Sequence, residues 1–356
     1  MKMKEETRLL YELCFKDSPA FTELYFRERY SDERNIVLYA DEQLVSSMQL
    51  IPYTLTFCGT ERVAMNYISA ACTHPDYRGR GWMNQLMIKA LRHSYHHAIP
   101  FATLIPASES LFTYYAQYGF AKAFDYSEVC CSAETLLPDH SVTVSFATSF
   151  PSDAWHCLDQ VMTLRNNSVQ HDYADIQVIL EDLSIFGGMF LIARSEIGEV
   201  VGMAFGVPQQ DRLFVPEMIC RSTSIRDSLL AEALRISGLT TVCYHTIPRD
   251  EPVYPLGMAR IVSAEPLLRH YAATHPACSL AFELTDPLIE ENDGFYQLEN
   301  GLLTRSRSEA KEAAGAVEQV TVPQLTQALL GYHPEALPSL FQAVERHNPY
   351  MSLMLN

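Results

Sequence analysis

Residues 67–83 read Tyr-Ile-Ser-Ala-Ala-Cys-Thr-His-Pro-Asp-Tyr-Arg-Gly-Arg-Gly-Trp-Met. An apolar run suited to a buried strand leads into a basic turn with two glycines, and a helix is expected over 81–97. Glycines admit positive φ and let the backbone come close to a ligand. The first N–H groups of a helix have no partners within it and lie at the positive end of its dipole. A diphosphate fits such a cradle, and Arg78 and Arg80 would add charge-assisted bonds. The spacing is neither a Walker A loop nor GxGxxG. A plain surface turn would carry the same residues, so the turn alone leaves both readings open.

The flanking pattern sets the fold class. Residues 8–15 have helical apolar spacing, and Ser18-Pro19 reads as the cap and first turn of a second helix. Strands are expected at 35–40, twice across 44–57, and at 65–72. After the helix come a strand at 101–105, a short helix at 108–118 and a closing strand at 120–131. This order means an α/β (α+β) layer fold with a mixed sheet. A second unit, from about Val142, repeats it as a degenerate copy: helices at 154–165 and 176–183, a hairpin of 189–194 with 200–207, a strand at 213–219, a helix at 224–239 and a strand at 241–244. A third segment begins near Arg260. It has a helix at 267–273, strands at 280–284, 294–299, 301–305 and 320–322, and helices at 323–330 and 335–346. The chain closes on the apolar run Tyr350-Met-Ser-Leu-Met-Leu. Frayed ends are usually polar, so this one is expected to dock.

Charge excludes some partners. The 356 residues hold 43 Asp+Glu against 26 Lys+Arg, a net charge of -17. Nucleic-acid binding needs a basic footprint, so no nucleic acid is expected. The balance permits a cationic small substrate steered to an acidic cleft, though simple solubility is the favoured reading. The start, MKMKEETRLLYELCF, lacks the apolar region of a secretory signal, and no stretch is long enough to cross a membrane. Nine scattered cysteines without a CxxC pair read as reduced, mostly buried thiols of a cytoplasmic protein. Cys130 and Cys131 are expected to point to opposite faces of a strand. His93, His96 and His97 share a helix face without any H-E-x-x-H pattern, so no metal is expected.

The succession strand, R-x-x-G-x, helix, strand, helix, followed by Tyr115-x-x-x-Gly119-Phe120, resembles the GNAT superfamily of acyl-CoA-dependent N-acyltransferases over about residues 1–135. Asn66-Tyr67-Ile68, Leu104-Ile-Pro-Ala107, Val253-Tyr-Pro-Leu-Gly-Met-Ala-Arg260 and Asp293-Gly-Phe-Tyr-Gln-Leu298 extend the likeness. With them the chain is similar to the three-domain acetyltransferases of the enhanced-intracellular-survival type. That resemblance implies tandem GNAT folds with mixed central sheets: a catalytic domain at 1–140, a degenerate one at 141–262, and a C-terminal sterol-carrier-protein-like domain at 263–356.

It also implies the chemistry. Acetyl-CoA is the co-substrate, its pyrophosphate held by Arg78, Gly79, Arg80, Gly81, Trp82 and Met83. Ala71, Cys72 and Thr73 supply strand-end backbone contacts, and Ser108 joins the cofactor contacts. Tyr115 protonates the leaving thiolate, and the terminal carboxylate of Asn356 acts as base, threaded in by the apolar tail. The acceptor is a primary amine on an aminoglycoside, a polyamine or a lysine-like group, attacking directly in a ternary complex. The assembly is a homo-oligomer such as a hexamer. Met83 departs from the Gly or Ala common there. The second unit has Arg221-Ser-Thr-Ser-Ile-Arg226, without glycine, and is not expected to bind coenzyme A. Core packing is the other reading of Tyr115 and of the tail. Tyr25, Phe26 and Tyr30 suit either an aromatic wall for an amine or the core. The alternative for the whole chain is a non-catalytic acyl-CoA or lipid-binding regulatory protein.

Overall fold

The computed structural model describes residues 2–248, 252–306 and 317–354. Two helices, α1 (Lys2–Phe15) and α2 (Pro19–Glu28), precede β1 (Asn35–Ala40), β2 (Gln43–Phe57) and β3 (Glu61–Thr73). Ser18 caps α2, its Oγ accepting from the Phe21 N–H at 3.2 Å. Next come α3 (Trp82–His96), β4 (Phe101–Leu104), α4 (Glu109–Ala116) and β5 (Ala121–Ser132). The second unit comprises β6 (Thr143–Ala147), α5 (Ser152–Leu164), β7 (Val169–Gln170), α6 (Tyr173–Ile185), β8 (Met189–Arg194), β9 (Val200–Pro208), β10 (Leu213–Cys220), α7 (Thr223–Ser237), β11 (Thr241–Thr246) and β12 (Val253–Ile261). The remainder holds α8 (Ala264–Thr274), β13 (Leu280–Thr285), β14 (Gly294–Glu299), β15 (Leu302–Ser306), β16 (Glu318–Thr321) and α9 (Val322–Leu329).

Both units share one mixed sheet in the order β1-β2-β3-β4-β12-β5-β11-β10-β9-β8-β6, with β7 beside β2. Apart from the extra edge strand β6, the two halves repeat one arrangement inward from β1 and from β8: a hairpin, a strand, a parallel neighbour, then the strand that closes the other unit. Thus β12 lies between β4 and β5, pairing Met258 with Leu104 and Ala259 with Ala121. In turn β5 runs against β11 from Ser132 to Ser127. The C-terminal sheet is separate, in the order β15-β14-β13-β16, and Phe282, Tyr296, Leu298, Leu325 and Phe341 fill its covered face. One continuous apolar core runs from Phe26 and Phe57 through Phe101 and Ile261 to Leu267 and Phe282. No helix among the described residues is long and apolar enough to cross a membrane.

Three expectations are corrected. Residues 44–57 form one strand rather than two. Pro52, opposite Asn66 of β3, lies beyond the last β1 pair at Gln49, so on that edge no β1 residue needs its missing N–H. The helix expected at 335–346 is absent, and short 3-10 turns stand at Pro334–Ala336 and Ser339–Phe341. Pro338 interrupts the helical period there. The cysteines are neither all reduced nor mostly buried. Cys130 and Cys243, directly opposed on β5 and β11, form a disulfide, and of the free thiols only Cys72 is fully buried.

Candidate functional site

The site begins where two strands part. β3 pairs with β4 only from Met65–Phe101 to Tyr67–Thr103. Beyond Tyr67 the β4-facing edge of β3 has no strand partner, and the free stretch includes Ala71, Cys72 and Thr73. On its other edge the register with β2 slips between Ser47 and Gln49, and Ala70 takes a φ of 52°. This is a bulge, which bends the strand and re-aims its end. Ser46 fixes that end: its hydroxyl donates to the Cys72 carbonyl at 2.8 Å and lies 2.9 Å from the Thr73 hydroxyl.

The glycine turn follows. Gly79 and Gly81 have φ of 74° and 80°, and no atom lies within 4 Å of where a Cβ would stand at either. Gly81 caps α3 without a side-chain bond, so no capping side chain covers the N–H groups of its first turn. The matching helix of the second unit differs: Ser222 accepts from the Ile225 N–H at 3.3 Å and closes its own helix start. Arg78 and Arg80 are exposed and have no carboxylate partner among the described residues. Arg80 lies over the Tyr77 ring at 5.4 Å. Arg78 braces the strand end, its Nε donating to the Thr73 carbonyl at 3.1 Å and its Nη2 lying 3.9 Å from Cys14 Sγ. Trp82 stands edge-on to Tyr77. Met83 packs on the core under α3, which leaves its backbone in the cradle. An open glycine cradle, an uncapped helix start and two unpaired guanidinium groups fit a diphosphate.

Cys14 adds a group the sequence did not single out. Its half-buried thiol is 3.6 Å from the Thr73 carbonyl oxygen. Hydrogen bonding to Cys72, and then to Arg78, pushes it down to about 6. Cys72, buried and facing Cys14, is pushed up, first by its hydrogen bond with Cys14 and then by burial.

Tyr115 projects from α4 and is half-buried, its ring 5.4 Å from Tyr114 and 6.3 Å from Phe120. Burial pushes its phenol up to about 12. It packs on the apolar cluster that contains Ile68 of β3 and Leu104 of β4. Ser108 precedes α4, exposed, with its hydroxyl 3.1 Å from that of Ser110. Tyr25 and Phe26 are core residues, with exposures of 2% and 1%. Tyr30 is partly buried against them. The core reading of these rings is the correct one, and the aromatic wall is dropped.

The tail is docked, and Asn356 itself lies outside the described residues. Tyr350 donates to the Asn167 carbonyl at 3.1 Å and accepts from the Val169 N–H at 2.9 Å. Arg165 lies over its ring at 4.4 Å, and Met351 packs on Gly257. The tail forms one wall of a cavity of about 300 Å³ whose lining also includes Ile105, just past β4, and Asp182 on α6. Nothing in the sequence around Asp182 marked it, because its neighbours come from distant strands. Among the described residues, the group closest to a metal-ligand set is Glu128, Cys130 and Cys243, and its two sulfurs are bonded to each other.

Residues 3–123 match the family model described as an acetyltransferase (GNAT) domain, and residues 264–346 match that of a sterol carrier protein domain. No curated protein matches the chain. Solved structures share its fold along the whole length. A GCN5-related N-acetyltransferase from Kribbella flavida superposes with a TM-score of 0.77 at 19% identity, covering 100% of this chain and 96% of that chain. A probable N-acyltransferase from Enterococcus faecalis V583 gives 0.75 at 18%, covering 99% and 97%. Eis1 from Mycobacterium abscessus gives 0.73 at 13%, covering 100% and 95%.

Proposed function

We propose that this chain, which joins a GNAT acetyltransferase domain to a C-terminal sterol carrier protein domain in the fold of the three-domain enhanced-intracellular-survival type, is an acetyl-CoA-dependent N-acetyltransferase of primary amines. The observation that carries the reading is a conjunction: the uncapped start of α3 between Gly79 and Asn84 stands at the end of a strand whose free edge begins after Tyr67, and Tyr115 packs on the same apolar cluster as Ile68 and Ala71 of that strand. Acetyl-CoA supplies the acetyl group as a thioester. The first-turn N–H groups of α3, with Arg78 and Arg80, hold the diphosphate. The free edge of Ala71 to Thr73 orients the thioester arm through backbone hydrogen bonds. The amine nitrogen bonds to the acyl carbon and passes its surplus proton to solvent water. The Tyr115 phenol donates its own proton to sulfur as the C–S bond breaks. A group that stays protonated up to about pH 12 is in the donating form at neutral pH.

The domain division follows the same reading: a catalytic unit at 1–140, a central unit at 141–262 and a C-terminal unit at 263–356, with β5 and β12 exchanged between the first two. The regulatory alternative with a lipid in the third domain is less well supported, because Phe282, Tyr296 and Phe341 occupy the interior under its sheet. The test is thiol release from acetyl-CoA with a panel of primary amines. Release with at least one amine is expected. Tight acetyl-CoA binding with no release for any of them would favour the regulatory reading.

A further inference from the structure

The Cys130–Cys243 disulfide joins directly opposed residues of β5 and β11, the strands at the seam between the two units. Side chains two apart on a strand share a face, so Glu128 stands on the face of Cys130, with His245 as its own opposite number. Glu128 Oε1 lies 3.8 Å from Cys130 Sγ. Both sulfurs and a Glu128 carboxylate oxygen lie within 4.8 Å of one another. Cys130 is exposed, Glu128 is half-buried and Cys243 is buried, so the group is open to solvent on one side. Cys131 points to the opposite face and packs on the core of the second unit. His245 stacks on Tyr126 at 4.0 Å and meets Phe214 edge-on at 4.7 Å, which keeps its ring among the aromatic side chains.

While the sulfurs are bonded to each other they offer no charge to a cation. Reduction changes this. A dithiol reductant delivers two electrons and two protons and closes its own disulfide, the S–S bond breaks, and Cys130 and Cys243 become thiols. On meeting a metal ion both thiols release their protons to water. Two thiolates and one carboxylate then converge from adjacent strands. Such a sulfur-rich set selects zinc over magnesium or calcium, and three protein ligands leave the fourth tetrahedral position to water. The charges balance. A divalent cation neutralises two of the three negative charges, and Arg212 meets the third, its Nη1 donating to Glu128 Oε1 at 2.9 Å. A ligating carboxylate is commonly oriented by such an outer hydrogen bond.

We propose that Cys130, Cys243 and Glu128 form a zinc-binding site in the reduced chain, so that a metal ion clamps the seam under reducing conditions and the disulfide clamps it under oxidising ones. The site is independent of the acetyltransferase reading. For the test, the full chain is reduced with dithiothreitol, freed of it by anaerobic gel filtration and titrated with Co²⁺, then with Zn²⁺ or Mg²⁺. The reduced wild type should develop thiolate-to-Co²⁺ charge-transfer absorption that saturates at one equivalent, is displaced by Zn²⁺ and is untouched by Mg²⁺. The unreduced chain, which keeps its other thiols, should show none. Cys243→Ser should abolish the absorption, and Glu128→Gln should weaken Zn²⁺ binding at least about tenfold. Zn²⁺ should raise the melting temperature of the reduced wild type and leave that of reduced Cys243→Ser unchanged. No absorption in the reduced wild type, equal absorption before reduction, or undiminished absorption in Cys243→Ser would overturn the proposal. Unchanged Zn²⁺ affinity in Glu128→Gln would overturn the donor set it names.

Discussion

Arg260 Nη2 lies 2.6 and 2.7 Å from the two carboxylate oxygens of Asp286, and both side chains are shut off from solvent. Arg260 comes from β12, Asp286 from the turn after β13. Arg260 Nη1 also donates to the Tyr118 carbonyl. Asp286 accepts in addition from Asn292 Nδ2 at 2.9 Å and the Leu288 N–H at 3.1 Å. The pair therefore ties the C-terminal domain to the turn that follows the helix of Tyr115. Gly119, with a φ of 81°, is required in that turn because a Cβ would run into the Arg260 guanidinium. Asp286→Ala leaves a buried guanidinium uncompensated and should cost about 3–5 kcal/mol, read from urea unfolding. A midpoint equal to wild type would remove the pair from the stability account.

Tyr115→Phe keeps the ring and removes the proton donor. Turnover should fall by about two to four orders of magnitude, with the acetyl-CoA dissociation constant unchanged. The phenol is protonated below about 12, so the acid is lost only as pH rises through that value. Between pH 7 and 9 the wild-type rate should show no decline traceable to Tyr115. Full activity in the variant would end the acid role.

Arg78→Ala and Arg80→Ala should each weaken acetyl-CoA binding by about tenfold, measured by calorimetry. The Arg78 change should also loosen the end of β3, because it removes the donor to the Thr73 carbonyl. Unchanged affinity in the double variant would place the diphosphate elsewhere.

Cys14 should behave as an acidic thiol. Its folded pKa is depressed, so the reactive thiolate is present above about pH 6 and lost as pH falls through that value. Alkylation by iodoacetamide, followed at Cys14 by mass spectrometry, should reach half its plateau near that pH, well below the about 8.5 of a free thiol. Arg78→Ala should move the midpoint upward, and buried Cys72 should stay unmodified. A midpoint near 8.5 in the wild type would show that neither Cys72 nor Arg78 stabilises the thiolate.

What the sequence disclosed was local. The cap at Ser18 is written in a few adjacent residues. So is the strand–turn–helix at 67–83, where Gly79 and Gly81 take the left-handed φ that their type permits. What stayed hidden depends on partners far along the chain. The opposition of Cys130 and Cys243 exists only because β5 crosses to the second unit. Asp182 lines one cavity with Tyr126 and His245, which no spacing rule connects to it. At 335–346 the apolar period suggested a helix, and Pro338 together with docking of Phe341 into the C-terminal core decided otherwise.

The exchange of β5 and β12 has a consequence for biosynthesis. Leu104 leaves the ribosome long before Met258, the residue it pairs with. The nascent first unit therefore waits with a gap between β4 and β5, exposing strand edges that invite wrong partners. A gene fragment stopped at residue 140 would encode an unfinished sheet, so neither unit should be recoverable as a soluble piece without the other.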